Sequence, residues 1–88
     1  MASADKIKAR IREIANRQNN VTLSDIEWVM SQLKRIATVT LTTNVHANIW
    51  TIDGELFTVC THHKGSKQLK SPYVKSFLNA MTNTGWYD

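Results

Sequence analysis

Residues 45–62 read VHANIWTIDGELFTVCTH, and this stretch decides the fold. The dipeptide Asp53-Gly54 lies between two runs, 45–52 and 55–62, that are rich in β-branched and aromatic residues. Asp-Gly between two such runs is typical of a type I′ turn, in which both central residues have positive φ. The sequence therefore predicts a β-hairpin across this dipeptide.

A two-residue turn also fixes the register of the hairpin. It places Trp50 opposite Phe57, and side chains alternate between the two faces of a strand. One face then carries His46, Asn48, Trp50, Phe57, Val59 and Thr61, and the other carries Val45, Ala47, Ile49, Leu56, Thr58 and Cys60. Because the second set is smaller and more uniformly apolar, we predict that it packs on the helices. Trp50 and Phe57 would then lie on the open face.

The remaining sequence predicts three helices and a further strand. Helical spacing of apolar residues predicts a first helix over 4–18 with Ser3 as its N-cap. A capping box from Ser24 to Glu27 predicts a second helix that runs to about residue 37 and buries Ile36. A strand over 38–43 follows, and Ser71-Pro72 opens a last helix that ends at Gly85. The predicted fold is α+β in the order α-α-β-β-β-α, with a three-stranded antiparallel sheet packed on helices in a single domain, 1–88.

The charge of the chain gives the first indication of function. Eleven Lys and Arg residues against seven Asp and Glu give a formal net charge of +4. No carboxylate lies between Leu56 and Tyr87, whereas Lys64, Lys67, Lys70 and Lys75 fall within twelve positions. Unopposed lysines attract phosphate, so nucleic acid is the leading partner class. A solvated basic loop is the alternative interpretation.

Other features of the sequence exclude several classes of protein. No apolar run approaches the roughly 18 residues that span a bilayer, and the N-terminus lacks the apolar stretch of a signal peptide. We therefore expect a cytoplasmic protein with no membrane partner. The only cysteine, Cys60, excludes an intramolecular disulfide. Together with His46, His62 and His63 it matches no usual zinc spacing, so we expect no metal and no other cofactor.

The stretch from about residue 24 to residue 83 resembles the HicA family of bacterial mRNA interferase toxins. The resemblance rests on three segments in order: HANIW at 46–50, FTVCTHH at 57–63 and KGSKQLK at 64–70, followed by the helix from Pro72 to Met81. It implies a fold similar to the double-stranded-RNA-binding domain (dsRBD-like) over 24–84, with 1–23 as an additional N-terminal helix. It also implies a HicB-type antitoxin as protein partner.

The resemblance further implies metal-independent cleavage of mRNA by an endoribonuclease of a type II toxin-antitoxin system. RNA supplies the 2′-hydroxyl nucleophile, and histidine suits the proton transfers because its ordinary pKa is about 6.5. His46 is the expected general base, and His63, with His62 as substitute, is the expected acid or phosphate contact. Lysines would hold the backbone, and Trp50 and Phe57 would stack on bases. The predicted RNA-binding residues are Lys64, Lys67, Lys70, Lys75, Trp50, Phe57 and Asn48.

A second class of function stays open on the same residues. Asn44-Val45 stands where the family has Gly-Ser before the catalytic histidine, which favours a non-catalytic dsRBD-like module that binds RNA or a protein. Trp50 and Phe57 would then be a cross-strand packing pair. The histidines would have structural roles. The retained histidines and lysines favour the nuclease.

Overall fold

The computed structural model describes residues 3–43, 47–60 and 69–87, with the backbone alone at Cys60. Within these ranges the chain is an α+β protein with three α-helices and one three-stranded antiparallel sheet of order β1-β2-β3. This layout agrees with the predicted element order. The elements are α1 (Ala4–Asn16), a 3₁₀ helix (Gln18–Asn20), α2 (Leu23–Leu33), β1 (Val39–Thr43), β2 (Ala47–Ile52), β3 (Glu55–Cys60) and α3 (Ser71–Asn83).

The hairpin forms as predicted. Asp53 has φ 47° and Gly54 has φ 90°, which are the positive values that a type I′ turn requires. Trp50 pairs with Phe57 and Asn48 with Val59, so the predicted register is confirmed over the described part of both strands. The predicted pair of His46 and Thr61 lies outside the described residues.

The predicted assignment of the two sheet faces is wrong. Phe57 is 1% exposed and Trp50 7% exposed, and both lie in the hydrophobic core, whereas Leu56 is 63% exposed. The Phe57 ring packs edge-on against Phe77 of α3, with ring centroids 5.5 Å apart. Aromatic side chains gain most from burial because they remove the largest apolar area from water. The helices therefore cover the face with the larger side chains.

Helix α1 belongs to the same core as the sheet. The Ser3 side chain accepts a hydrogen bond from the Lys6 N–H and caps the helix, as predicted. Three isoleucines at helical spacing, Ile7, Ile11 and Ile14, are fully buried. The amphipathic stripe of α1 thus packs inward, and the helix is an integral part of the folded unit.

Both ends of α2 differ from the prediction. The capping box is formed by Thr22 and Asp25, two residues before the predicted pair. The helix ends at Leu33, and Ile36 is 51% exposed where burial was predicted. The early end follows from a tertiary contact, because Thr38 pairs with the hairpin turn: its N–H donates to the Asp53 carboxylate and its C=O accepts a hydrogen bond from the Asp53 N–H.

The last helix, α3, also differs at its start. Its N-cap is Lys70, one residue before the predicted Ser71 cap, and Pro72 occupies the first turn. At the other end, Gly85 has φ +84°. The Trp86 N–H donates to the Met81 carbonyl and the Gly85 N–H to the Thr82 carbonyl, which is the Schellman arrangement. The buried side of α3 consists of Val74, Phe77, Leu78, Ala80 and Met81.

Among the described residues, no helix combines the length and the apolar character that crossing a bilayer requires.

Candidate nucleic-acid interface

Five of the predicted site residues lie outside the described residues: His46, His62, His63, Lys64 and Lys67. The structure describes the elements to which they are joined in the chain. Ala47, at the start of β2, is paired across the hairpin with Cys60, at the end of β3. Leu69 and Lys70 follow the undescribed residues 61–68 and lead into α3.

Leu69 fixes the start of α3 to the helical layer. Its side chain is 5% exposed and belongs to the hydrophobic core. Its backbone N–H donates to the carbonyl of Val21, at an N–O distance of 2.7 Å. Val21, itself fully buried, lies between the 3₁₀ helix and α2. The position of Lys70, the next residue, is therefore set by the junction of α1 and α2.

That junction is held by a charged cluster around Arg17. Its guanidinium contacts both carboxylate oxygens of Asp25, with Nη1–Oδ2 3.1 Å and Nη2–Oδ1 3.2 Å. Nη1 also donates to the Asn20 carbonyl at 2.6 Å, and Nη2 to Glu13 at 3.1 Å. Bidentate pairs of this kind are the strong and geometrically specific ion pairs of proteins. Arg17 thus joins the end of α1 to the first turn of α2.

The cluster shifts the ionisation of both partners. Burial raises the pKa of Asp25, but hydrogen bonds from Arg17 and Thr22 lower it by more, so that the pKa lies below its ordinary value. The hydrogen bond to Asp25 raises the pKa of Arg17. Asp25 therefore stays ionised to a lower pH than an ordinary aspartate, and Arg17 stays charged to a higher pH than an ordinary arginine.

The start of α3 is suited to anions. The N-cap Lys70 makes no side-chain capping hydrogen bond, and the first turn contains no acidic residue. The positive end of the helix dipole and the unpaired N–H groups of a first turn attract negative charge. Lys70 and Lys75 are both exposed, and neither forms an ion pair with a described residue. These are the two predicted lysines that the structure describes.

The predicted base-stacking surface is absent from the described sheet. Trp50, Phe57 and Asn48 are respectively 7%, 1% and 6% exposed, on the side that the helices cover. A base cannot stack on either ring without displacing the core. These three residues were predicted to contact RNA because the two faces of the sheet were assigned the wrong way round. Their burial contradicts that prediction.

The open face of the sheet is uncharged instead. By register and alternation its described members are mostly threonines, with a few aliphatic side chains. Hydroxyl groups and methyl groups dominate this surface, so it lacks the cations that phosphate binding needs. The described members are Thr40, Thr42, Ala47, Ile49, Thr51, Leu56 and Thr58.

Two basic residues of α1 contact aromatic rings. The Arg10 guanidinium lies 4.5 Å from the ring centroid of Trp28, and the Lys8 ammonium 5.9 Å from that of Trp86. Cation–π contacts of this geometry are stabilising. Neither contact was predicted from the sequence, since each joins α1 to a residue of another segment. The contacts give Lys8 and Arg10 a packing role.

A groove between α2 and β1 was not predicted from the sequence. Its volume is about 180 Å³, and its lining includes Met30, Lys34, Leu41 and Trp50. The indole N–H of Trp50 is buried and has no hydrogen-bond acceptor among the described residues. The groove could have been inferred from Leu41, which is an apolar residue between threonines in what proves to be an edge strand.

Within the described ranges, no group of three or more His, Cys, Asp or Glu residues is arranged to hold a metal ion.

Comparisons with known proteins give no further assignment. No family model matches the chain, and neither a curated protein nor a solved structure matches it.

Proposed function

We propose that the protein is an RNA-binding endoribonuclease of the mRNA interferase type, with a fold similar to the double-stranded-RNA-binding domain. The order α2-β1-β2-β3-α3 supports this fold, as does the burial of one sheet face alone beneath the helices. In the proposal, α1 is an addition that shares the core. The segments quoted for the HicA resemblance supply the rest of the argument.

The observation that carries the proposal is the start of α3. An exposed lysine caps a helix that has neither a side-chain cap nor an acidic residue in its first turn. Lys70 also continues a sequence segment that contains Lys64 and Lys67 and no carboxylate. A phosphodiester is the ligand that suits such a cationic helix start.

The proposed chemistry needs no metal. The 2′-oxygen of RNA attacks the adjacent phosphorus as a base removes its proton, and the bond from phosphorus to the 5′-oxygen breaks as an acid protonates that oxygen. His46 is the proposed base, and His63, with His62 as substitute, the proposed acid. Lysines stabilise the charge that develops on the phosphoryl oxygens. The products are a 2′,3′-cyclic phosphate and a free 5′-hydroxyl.

Purified protein incubated with a long single-stranded mRNA in the presence of a chelator tests this proposal. We expect cleavage by the natural sequence, loss of cleavage in His46→Ala and retention in Thr43→Ala, a matched change three residues earlier on an exposed position. The melting temperature of each variant reports whether it is folded. Cleavage that disappears with chelator, or that persists in folded His46→Ala, contradicts the mechanism.

A non-catalytic binding module is the second candidate. The burial of Trp50 and Phe57 favours it, because it removes the aromatic platform on which unpaired bases would stack. Intact RNA with retarded migration on a native gel would support an RNA-binding module. If the RNA is neither cleaved nor retarded, the result indicates a protein partner instead, of which a HicB-type antitoxin is the proposed example.

A further inference from the structure

Strand β1 is an edge of the sheet, and its outward-pointing backbone groups can be identified. The Asp53 N–H donates to the Thr38 carbonyl, so these two form a hydrogen-bonded pair. Such pairs alternate along an antiparallel ladder, and the register continues without interruption from Val39 to Thr43. The N–H and C=O groups of Val39, Leu41 and Thr43 therefore point away from β2.

Among the residues that the structure describes, this edge has none of the usual protections against further pairing. Natural edge strands carry charged residues, proline or a bulge, or are covered by another element. The strand reads VTLTT, with no charge and no proline, and its ladder with β2 has no bulge. No other described element forms a backbone hydrogen bond with Val39, Leu41 or Thr43. The edge is a template for an additional strand.

The groove between α2 and β1 lies beside this template. Leu41 points to the helix-facing side, opposite Trp50, and is 46% exposed because none of the described helices covers it. An apolar side chain of an added strand, placed opposite Leu41, would reach the same groove.

Charge at the rim selects the kind of strand. Lys34 lines the groove, is exposed and forms no ion pair with a described residue. A carboxylate on the incoming strand would meet this ammonium group. A second copy of the protein is a poorer occupant, because its own β1 carries no carboxylate and its Lys34 repeats the positive charge.

We propose that β1 and the groove beside it bind an extended acidic segment of another protein as a fourth strand of the sheet. Backbone hydrogen bonds to Val39, Leu41 and Thr43 hold the segment. An apolar side chain enters the groove beside Leu41, and carboxylates two residues away on the same face lie near Lys34. The inference is independent of RNA cleavage.

The test uses the full chain, labelled with nitrogen-15, and the peptide acetyl-Thr-Glu-Thr-Leu-Thr-Glu-Thr-amide at up to millimolar concentration. In a strand, its two Glu residues and its Leu share one face. We expect shifts of the amide resonances of Val39, Leu41 and Thr43 and of the Trp50 indole N–H. Amide exchange at Leu41 should slow by about tenfold at saturation, since its N–H becomes hydrogen-bonded.

Matched variants locate the binding. Leu41→Glu should abolish the shifts, because it removes the apolar contact and places a negative charge beside the acidic segment. Leu56→Glu, a change of the same type on the open face, should leave them intact. Both positions are exposed, and the remaining amide spectrum shows whether each variant is folded. A peptide with Lys in place of both Glu residues should bind more weakly. No shift with the acidic peptide overturns the proposal, as do equal shifts in Leu41→Glu. Shifts of the same amides on raising the protein concentration alone would assign the edge to a second copy instead.

Discussion

Arg17 donates two parallel hydrogen bonds to the Asp25 carboxylate, across the turn that separates α1 from α2. The same carboxylate accepts hydrogen bonds from the backbone N–H and the hydroxyl of Thr22, the N-cap of α2. The carbonyl of Val21, the residue before Thr22, accepts a hydrogen bond from the Leu69 N–H. One ion pair thus supports the point from which α3 begins.

Removing the charge of Asp25 should therefore cost stability. We expect Asp25→Asn to lower the free energy of unfolding by about 1–2 kcal/mol at neutral pH, because charge-assisted hydrogen bonds to Arg17 become neutral ones. Urea unfolding measures the change. Glu27→Gln is the matched control on an exposed position of the same helix, with an expected change within about 0.5 kcal/mol. Equal effects of the two changes would mean that the pair contributes nothing specific.

The same pair predicts a dependence of stability on pH. The pKa of Asp25 is lowered in the folded protein, so at acidic pH the unfolded chain binds the proton more readily. The contribution of the ionised Asp25 to the free energy of unfolding is present above the unfolded pKa of about 3.9. It is lost as the pH falls through the lower pKa of the folded protein. Between roughly pH 5 and pH 2, stability should fall more steeply for the natural sequence than for Asp25→Asn. Thermal melts over this range test it; parallel curves would contradict the ion-pair argument.

Truncation of two neighbouring residues of β3 should change stability by very different amounts. Phe57→Ala should lower the free energy of unfolding by about 3–5 kcal/mol, because it leaves a cavity against Phe77. Leu56→Ala should change it by less than about 0.5 kcal/mol, since Leu56 is 63% exposed. Chemical unfolding of both variants checks the face assignment directly. A large loss at Leu56 would mean that the open face is covered.

The end of α3 should depend on the conformation of Gly85. Its φ of +84° is unfavourable for any residue with a Cβ atom, although a Cβ would meet no atom within 4 Å. Gly85→Ala should therefore cost about 1 kcal/mol through backbone strain alone. Asn79→Ala, on the exposed side of α3, is the control and should be neutral or slightly stabilising. The melting temperatures of the two variants give the comparison.

If the proposed function is correct, Lys70 should contact phosphate. Lys70→Ala should weaken RNA binding and reduce the slope of log affinity against log salt by about 1, because one fewer counterion is released. Lys6→Ala removes an exposed lysine from α1, away from the proposed interface, and should leave the slope unchanged. Binding titrations at several salt concentrations provide the slopes. A Lys70→Ala slope equal to that of the natural sequence would remove the start of α3 from the interface.

The sequence predicted the hairpin better than its orientation. Asp53-Gly54 determines the turn locally, and the turn determines the register, so Trp50 opposite Phe57 needs no knowledge of the helices. Which face is buried depends on tertiary packing. Comparing total side-chain size would have favoured the Trp50 face, and Ile52 beside the turn adds to that face.

The start of α2 was harder to predict because two residues, Thr22 and Ser24, are both able to act as its N-cap. Thr22 and Asp25 are favoured over Ser24 and Glu27 because Arg17, from the preceding helix, already binds Asp25. This contact joins two elements across eight residues and does not appear in a local pattern. In the candidate site, Lys70 and Lys75 are exposed, but their contact with RNA and the catalytic roles of the histidines stay predictions.

The contact of Lys8 with Trp86 has a consequence for the order in which the protein folds during its synthesis. α1 leaves the ribosome first, yet a ring it contacts belongs to a segment made after α3. Until α3 is made, the face of β3 that holds Phe57 lacks Phe77. A nascent chain therefore completes this core only after α3 emerges. Any activity that requires the finished core is delayed until α3 and the segment with Trp86 have been made.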